Sequence, residues 1–589
     1  MTADLPAPQS LRVQSGDVSL SASIYPNPGK PVLLFVHGYP DNSAVWDKVI
    51  APLRARYHIV TYDVRGAGMS DAPRPVRAYK MAHLTEDLIA VIDQACDGGP
   101  VHLIAHDWGS IQCWNAIMDT RVAERVASYT TLSGVSIDHL GLWVRKRFAK
   151  GEVLTGLNQL VKSWYIYAFH IPFLAEMTWN AGLAKRWHKM LGRQEGVRVE
   201  KNPHQLKDGK TGVKLYRANI FPHLLRPDPG PITTPVQLLV LTRDPFVSPG
   251  IFSDHADHVD RLWRREIATP HWLPLRDPEL LARFIDDFVS YQTGGAETPA
   301  LARARRKAER LKAGPMGGKQ VLITGAGGGI GRCIALAFAD EGADIVVSDI
   351  NEAAAGETAR LVREKGAQAQ ICVADVSDPA SMDALAAFVD EVTGPIDIAV
   401  NNAGIGMAGG QLEMTREAWA RILGINLMGV IEGSRLFGAR MVADRQPGHI
   451  VNTVSASAFL PTRAFPAYAV SKAAALMQSE SLRGELAEHG IGVTAACPGF
   501  VDTGIAQATE YVGTSENDQA ARRNNADAMY KRRAYTPEKV AAKVLKAVKK
   551  NKPIALIGAE AWIGRGVQRF APALGRAFAR LKLPAPKDQ

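Results

Sequence analysis

Asp107 follows the apolar run VHLIAH and precedes the helix-like SIQCWNAIMD, with Ala105 and Gly109 as small neighbours on either side. A small–x–Asp–x–small turn between strand and helix permits a sharp backbone that lifts the side chain above the sheet. An isolated aspartate there would read as a helix cap. Three further elements add chemistry. His37-Gly38-Tyr39-Pro40 follows the strand-like PVLLFV, so the Tyr39 amide can join that of Trp108 in an oxyanion hole. Asp244 follows VQLLVLTR, and His271 lies in TPHWLPLRDPELLARFI ahead of a terminal helix. The order Asp107, Asp244, His271 is nucleophile, acid, base. Taken alone, His271 reads better as a core or surface histidine; four elements in order favour a triad. His271 would activate water and Asp244 would orient the imidazole. A carboxylate that attacks carbon forms an ester, which suits epoxides or alkyl halides better than ordinary esters.

A second group lies downstream. QVLITGAGGGIGRCIALAFADEGA reads as strand, glycine-rich turn and helix. Gly325, Gly329 and Gly331, with Ile330 between the last two, leave room for a pyrophosphate at the helix N-terminus. Asp349 ends the next strand-like run, DIVVSDI. A carboxylate there accepts both ribose hydroxyls and repels a 2′-phosphate, which predicts NAD over NADP. The competing reading of Asp349 is an ordinary strand-end turn residue. Asn401-Asn402-Ala403-Gly404, Ser455 and Tyr468-x-x-x-Lys472 follow in that order. Tyr468 and Lys472, four apart, share one helical face.

The elements that must position these groups alternate. PVLLFV, HIVTYD, VHLIAH and VQLLVLT in the first half read as buried parallel strands between helical segments, as do QVLITG, DIVVSDI, QICVAD, IDIAVNNAG, HIVNTVS and GVTAACPG in the second. The expected fold class is α/β throughout. Residues 133–232 contain four tryptophans and no clear strand, so they read as a helical cap over the carboxyl ends of the first set of strands. The run AETPALARARRKAERLKAGPMGG, 296–318, has the composition of a linker with a short helix. The division expected is therefore 1–295, a basic linker at 296–318, and 319–589. A chain of 589 residues needs such a division.

Hydrophobic residues at 46% and charged residues at 22% exclude a wholly disordered chain. The longest apolar run is far shorter than a membrane span, and MTADLPAPQS has no secretory pattern. Five scattered cysteines without a CxxC pair suit a reducing cytoplasm, with no disulfide framework and no metal site. The net charge of +10 is uneven: residues 319–518 carry 13 Lys/Arg against 24 Asp/Glu, and 519–589 carry 17 against 4.

Residues ~20–292 resemble the α/β-hydrolase-fold epoxide hydrolases, with haloalkane dehalogenases as close relatives; HGYP and HDWG carry the likeness to both. The cap separates them. The resemblance implies two tyrosines that donate to the epoxide oxygen: Tyr165, four residues before Phe169 in SWYIYAFHIP, and Tyr216 in LYRANIF. Phenols near pKa ~10 can stabilise a leaving alkoxide. Cap-core packing is the alternative for both, and Tyr167 is a nearby decoy. His170 and Ala105 depart from the family's common Gln and Gly. Residues ~317–505 resemble the classical short-chain dehydrogenases/reductases, with a Rossmann-type doubly wound parallel sheet. That resemblance makes Tyr468 the acid/base, gives Lys472 the nicotinamide ribose and the lowering of the Tyr468 pKa, and gives Ser455 the substrate oxygen. It assigns Asn426 to a proton-relay water, Asp375 and Val376 to adenine, and Asn402, Ala403, Gly404, Val501 and Thr503, with Pro498-Gly499, to the cofactor.

The combined expectation is a bifunctional enzyme: epoxide opening to a vicinal diol, and NAD(H)-dependent alcohol/carbonyl oxidoreduction. The alternatives are a dehalogenase-type first domain, or one domain serving only as a binding or oligomerisation module. The substrates expected are small, apolar or lipid-like molecules, with no nucleic acid partner and a homo-oligomer formed through the dehydrogenase domain. In AWIGRGVQRFAPALGRAFARLKL, Ile563, Val567, Phe570, Leu574, Phe578 and Leu581 form one helical face beside Arg565, Arg569, Arg576, Arg580 and Lys582, with a kink at Pro572. This tail reads as an interfacial helix that holds a cytoplasmic protein at a membrane periphery. Packing on the dehydrogenase core or on a second subunit is the competing reading.

Overall fold

Apolar runs flanked by helices on both sides fold here as buried parallel strands. The computed structural model describes residues 6–152, 159 and 161–580. Contacts divide the chain into two units, Met1–Glu309 and Arg310–Gln589.

The first unit holds one eight-stranded sheet: β1 (Gln9–Ser15), β2 (Val18–Tyr25), β3 (Val32–Val36), β4 (His58–Tyr62), β5 (Val101–His106), β6 (Val126–Leu132), β7 (Val236–Leu241) and β8 (Leu262–Ile267). The spatial order is β1-β2-β4-β3-β5-β6-β7-β8. The pairs β1–β2 and β2–β4 are antiparallel and the rest are parallel. The four strands expected from sequence are β3, β4, β5 and β7; the Ser- and Thr-rich β6 and the polar β8 escaped the apolar-run criterion.

The cap leaves the sheet after β6 and returns at β7. Its main helices are Ile137–Ala149, Trp164–His170, Leu174–Thr178, Ala184–Glu195 and Gln205–Leu225. Its described residues contain no strand. A latch joins the cap to the sheet loops: the Trp179 indole donates to the Tyr39 hydroxyl at 2.9 Å, which donates to the Gly209 carbonyl at 3.0 Å. Any side chain at Gly209 would press its Cβ to 2.3 Å of the Trp179 ring, and at Gly212 to 2.3 Å of the Tyr39 ring.

The stretch read as a linker contributes the helix Pro299–Glu309 to the first unit. Leu301 and Ala304 pack with Trp263 and Phe288. Lys307 pairs with Glu266 at 3.0 Å. Its apolar residues fall on one face, which explains the packing despite the charge run.

The second unit contains β9 (Gln320–Thr324), β10 (Asp344–Asp349), β11 (Ala369–Val373), β12 (Ile398–Asn401), β13 (Met407–Ala408), β14 (His449–Thr453), β15 (Gly492–Pro498), β16 (Glu510–Tyr511) and β17 (Ile554–Ile557). Seven of them form a parallel sheet in the order β11-β10-β9-β12-β14-β15-β17, while β13 and β16 pair separately. The order reverses between β9 and β12, which opens a ligand crevice at the strands' carboxyl ends. The continuous helical stretch Arg416–Ala443 is long and apolar enough by composition to cross a membrane, yet half its most apolar window is buried. It carries the fully buried Asn426 and behaves as a core helix of this unit.

The tail forms the helices Ala559–Phe570 and Pro572–Phe578. Ala561 and Gly564 face inward, towards Phe459. The stripe read from the sequence is not the face that packs: Ile563, Phe570 and Leu574 are exposed, as is Trp562. Leu581, Lys582 and the Phe578 side chain lie outside what the structure describes.

Candidate active sites

Asp107 ends β5 and precedes the helix Trp108–Ala116, with φ 52° and ψ −119°. A bulky neighbour could not follow so tight a turn: a Cβ at Gly109 would sit 2.2 Å from the Val36 carbonyl. Ala105 is a paired sheet residue between Val36 and Thr131, where its buried methyl fits. The Tyr39 amide donates to Asp107 Oδ1 at 2.7 Å. Trp108 opens the following helix, where position alone leaves its amide without an intrahelical acceptor. His37 holds the loop that presents Tyr39: its Nε2 accepts from the Val64 amide at 2.9 Å and its Nδ1 donates to the Gly38 carbonyl at 2.9 Å.

His271 stands between two carboxylates. Its Nδ1 is 2.7 Å from Asp244 Oδ2 and its Nε2 is 3.4 Å from Asp107 Oδ2. All three groups are buried. Burial opposes charge on His271, but Asp244 and Asp107 outweigh it and raise its pKa to about 10. Burial likewise opposes ionisation of Asp107, yet the His271 hydrogen bond and the Tyr39 amide hold its pKa below the usual value. Asp244 is fixed in turn by the amides of Phe246 and Val247, at 2.8 and 3.0 Å from its Oδ1.

The cap brings Tyr165 and Tyr216 to this site. The Tyr216 ring lies 4.8 Å from that of Trp108 and 5.3 Å from that of Tyr39, centre to centre. Tyr165 meets Phe169, Tyr216 and Phe246, and Phe246 meets His271. Burial and the Asp107 charge push both phenols up, so both remain protonated donors at neutral pH. Tyr167 points outward. His170 donates from Nδ1 to the Ile166 carbonyl at 2.8 Å and its ring lies 4.4 Å from that of Phe221, under the cap surface.

Asp41, next to the HGYP segment, was not singled out in the sequence. Burial raises its pKa to about 7, against a 2.7 Å hydrogen bond from the Trp272 indole. The Asp107 and His271 charges both act on it. Its only sequence signal is a carboxylate immediately after the oxyanion loop.

In the second unit, Gly325 has φ +62° and Gly329 has φ +53°, where side chains are strained. A Cβ on Gly325 would collide with the Ala403 backbone at 2.7 Å, and one on Gly331 with the Gly325 carbonyl at 2.1 Å. The turn and the start of Gly329–Asp340 thus form a cradle only glycine can line, with Ile330 packed behind it. Asp349 ends β10 and its carboxylate accepts from the Gly327 and Asn351 amides at 2.8 and 2.9 Å. The residues fit a dinucleotide: backbone donors for pyrophosphate at a helix start, and a carboxylate at the ribose position. Asp375 accepts from the Ser377 amide and hydroxyl. Val376 packs beside Gly429. Asn402 donates to the carbonyls of Thr324 and Gly325, and the Ala403 amide donates to the Thr324 hydroxyl. Thr503 faces Gly329, and Val501 is buried in the core beneath.

Tyr468 and Lys472 share the helix Pro466–Ala487, with Lys472 Nζ 5.9 Å from the Tyr468 ring centre. Burial raises the Tyr468 pKa against a hydrogen bond from Ser455. Burial lowers Lys472 to about 8 while its ammonium donates to the Thr453 carbonyl at 2.9 Å. Asn426 sits in the π-turn Gly424–Met428, accepts from the Ile405 amide at 2.8 Å and donates to the Ile405 carbonyl at 3.0 Å. A position at Gly404 would lie 3.4 Å from Lys472 Nζ and 3.2 Å from Asn426 Oδ1, so these groups converge. Tyr530, on the helix Glu516–Arg533, was missed. Tyr468 acts on its phenol, and its ring lies 5.5 Å from Phe500. No motif marks the helix that carries it.

Comparisons with known proteins agree with this division. The short chain dehydrogenase family matches residues 319–511, and the alpha/beta hydrolase fold family matches residues 31–278. "Probable oxidoreductase EphD" of Mycobacterium tuberculosis is 40% identical over 569 residues, 95% of this chain and 96% of that protein. "Galactitol 2-dehydrogenase" of Rhizobium johnstonii is 40% identical over 196 residues, 33% of this chain and 76% of that protein. A crystal structure of a short chain dehydrogenase/reductase from Burkholderia phymatum in complex with NAD is 29% identical, covers 45% of this chain and 97% of that one, and gives a TM-score of 0.41. Sequence identity along nearly the whole length settles the matter: this chain, an α/β-hydrolase domain fused to a short-chain dehydrogenase domain, belongs to the EphD family.

Proposed function

We propose that the first unit is an epoxide hydrolase and the second an NAD(H)-dependent alcohol/carbonyl oxidoreductase. The observation that carries the first half is Asp107, with one carboxylate oxygen on the Tyr39 amide and the other facing His271, beneath two protonated phenols. Asp107 Oδ2 attacks an epoxide carbon, and the ring C–O bond breaks as Tyr165 or Tyr216 gives its proton to the leaving alkoxide. Solvent reprotonates the phenolate. Ester formation removes the Asp107 charge that helped hold a proton on His271, so His271 releases it and becomes a base. His271 then takes a proton from water, and the hydroxide adds to the ester carbonyl of Asp107. The Tyr39 and Trp108 amides hold the oxyanion; the ester C–O bond breaks, His271 protonates the diol oxygen, and the Asp107 carboxylic acid so formed passes its proton to His271, which restores the carboxylate–imidazolium pair.

The second half rests on the cradle at Gly325–Gly331 and on Tyr468 with Lys472. A bound nicotinamide supplies or accepts hydride. Gly325, Gly329, Ile330 and Gly331 offer backbone to the pyrophosphate, and Asp349 favours a free 2′-hydroxyl. Ser455 holds the substrate oxygen, Tyr468 gives or takes its proton, Lys472 favours the phenolate, and Asn426 fixes the relay to solvent. The exposed stripe of the tail supports a lipid-facing role, and the exposed Val470 and Met477 on the Tyr468 helix support pairing with a second copy.

A single turnover in ¹⁸O-water should place label on the Asp107 carboxylate and none in the first diol released. His271→Gln should accumulate the alkyl-enzyme. Hydrolysis of that ester in the unmodified protein should accelerate as pH rises through the imidazole pKa, because only neutral His271 accepts a proton. Label appearing directly in the first diol would overturn the Asp107 assignment. For the cofactor, titration should show tighter NADH than NADPH, with Asp349→Ala narrowing the gap by about tenfold or more, the effect of one lost charge-assisted contact. Tighter NADPH binding by the unmodified protein would refute the preference.

A further inference from the structure

Helix Trp164–His170 has two apolar faces. Tyr165, Ile166 and Phe169 point inward and pack against the hydrolase core. On the other side Trp164 is 68% exposed, and Tyr167 and Ile171, three and seven residues on, are exposed too. The chain continues through Phe173, 75% exposed, to Met177, 64% exposed, on the helix Leu174–Thr178. Val161, just upstream, is 69% exposed. Phe173 also adopts φ 64°, a left-handed conformation that is costly for a bulky residue. The backbone thus holds an aromatic ring outward, where nothing among the described residues covers it. A run of large apolar side chains of this kind marks a docking surface.

The charge of the cap indicates what docks. Residues 133–232 carry 16 Lys/Arg against 7 Asp/Glu. Lys210, Lys214 and Arg217 follow the spacing of one helical face on Gln205–Leu225. The field of Glu176, on Leu174–Thr178, reaches all three, and Arg217 pairs with it directly. An open groove of about 710 Å³ lies between the helix Ala184–Glu195 and residues 197–201, lined by His188, Lys189, Arg193, Arg198 and Lys201, with Glu200 as its only carboxylate. Exposed aromatic and aliphatic side chains on a positively charged module fit a bilayer interface that carries anionic headgroups.

We propose that the outer face of the cap, from Val161 to Met177, docks on anionic lipid bilayers, with the cap's basic residues meeting the headgroups. Tyr165 lies on the opposite side of the docking helix, so the hydrolase pocket sits about one helix diameter, ~10 Å, from the lipid. An apolar substrate would then pass from bilayer to pocket without crossing bulk water. The proposal does not depend on the hydrolase chemistry, because vesicle binding is read without turnover.

The test is flotation of the full-length protein with phosphatidylcholine vesicles, with and without about 30 mol% phosphatidylglycerol, at low and high salt. Binding should require the anionic lipid and weaken at high salt. Trp164→Ser with Phe173→Ser should reduce the bound fraction about tenfold without moving the melting temperature, since both side chains lie in solvent. Lys189→Glu with Arg193→Glu should weaken binding and flatten its salt dependence. Ile563→Ser with Phe570→Ser separates the tail's contribution. The proposal fails if the protein does not float, if only the tail variant lowers binding, or if the Trp164/Phe173 variant leaves binding intact. It also fails if that variant instead turns a dimer into a monomer in sedimentation, because a second copy would then be the occupant.

Discussion

The strongest constraint at the scale of single residues is charge placement around His271. Two carboxylates at 2.7 and 3.4 Å make the imidazole an acid reservoir until one of them is esterified. Burial first, and the Asp107 charge after it, raises the pKa of both cap phenols, so the carboxylate that protonates His271 also favours the protonated donors above it. Tyr165→Phe and Tyr216→Phe should each slow alkyl-enzyme formation by about 10²-fold, the usual worth of one proton donor, while ester hydrolysis changes little. Rapid-quench mass spectrometry separates the two steps. Faster turnover of haloalkanes than of any epoxide would instead assign the site to halide displacement. The triad was legible because its three members keep a fixed chain order whatever separates them. Asp41 was not, because its pKa depends on burial and on Trp272, more than two hundred residues away.

Among elements, the cap helix Gln205–Leu225 has the most exacting fit. Gly209 and Gly212 let Trp179 and Tyr39 approach its backbone closely, and Tyr39 also supplies the amide that holds Asp107. Gly209→Ala should cost about 1–3 kcal/mol through overpacking and loosen the latch. The expected result is a lower melting temperature of the first unit together with slower alkyl-enzyme formation on the same epoxide. Unchanged kinetics would mean that the latch only stabilises the cap. Strands buried on both faces were plain in the sequence, as was the helical nature of the cap. β6 was hidden because Ser128, Thr130 and Thr131 break the apolar run while being buried in pairing. In the tail, apolar periodicity located a helix but not its packed side: Ala561 and Gly564 pack because they are small.

For the whole molecule, every group assigned to hydrolysis precedes Glu309 and every group assigned to redox chemistry follows Arg310. Asp107→Asn should therefore abolish epoxide turnover and leave dehydrogenase activity within about twofold, and Tyr468→Phe the reverse, as sites built from separate sets of residues behave independently. Parallel assays of both activities on each full-length variant would show coupling if either substitution lowered both. The domain pairing was readable because each half carries its own ordered motif set; Tyr530 was not, because no motif marks its helix. β6 ends at Leu132 and its partner β7 begins at Val236, with the whole cap between them. At the usual ~5–20 residues per second, a ribosome exposes β6 as an unpaired sheet edge for about 5–20 s before β7 is synthesised. Such an edge invites pairing with other chains. Biogenesis of this enzyme thus carries a built-in interval of aggregation risk, during which a holdase or trigger-type chaperone would protect the nascent sheet.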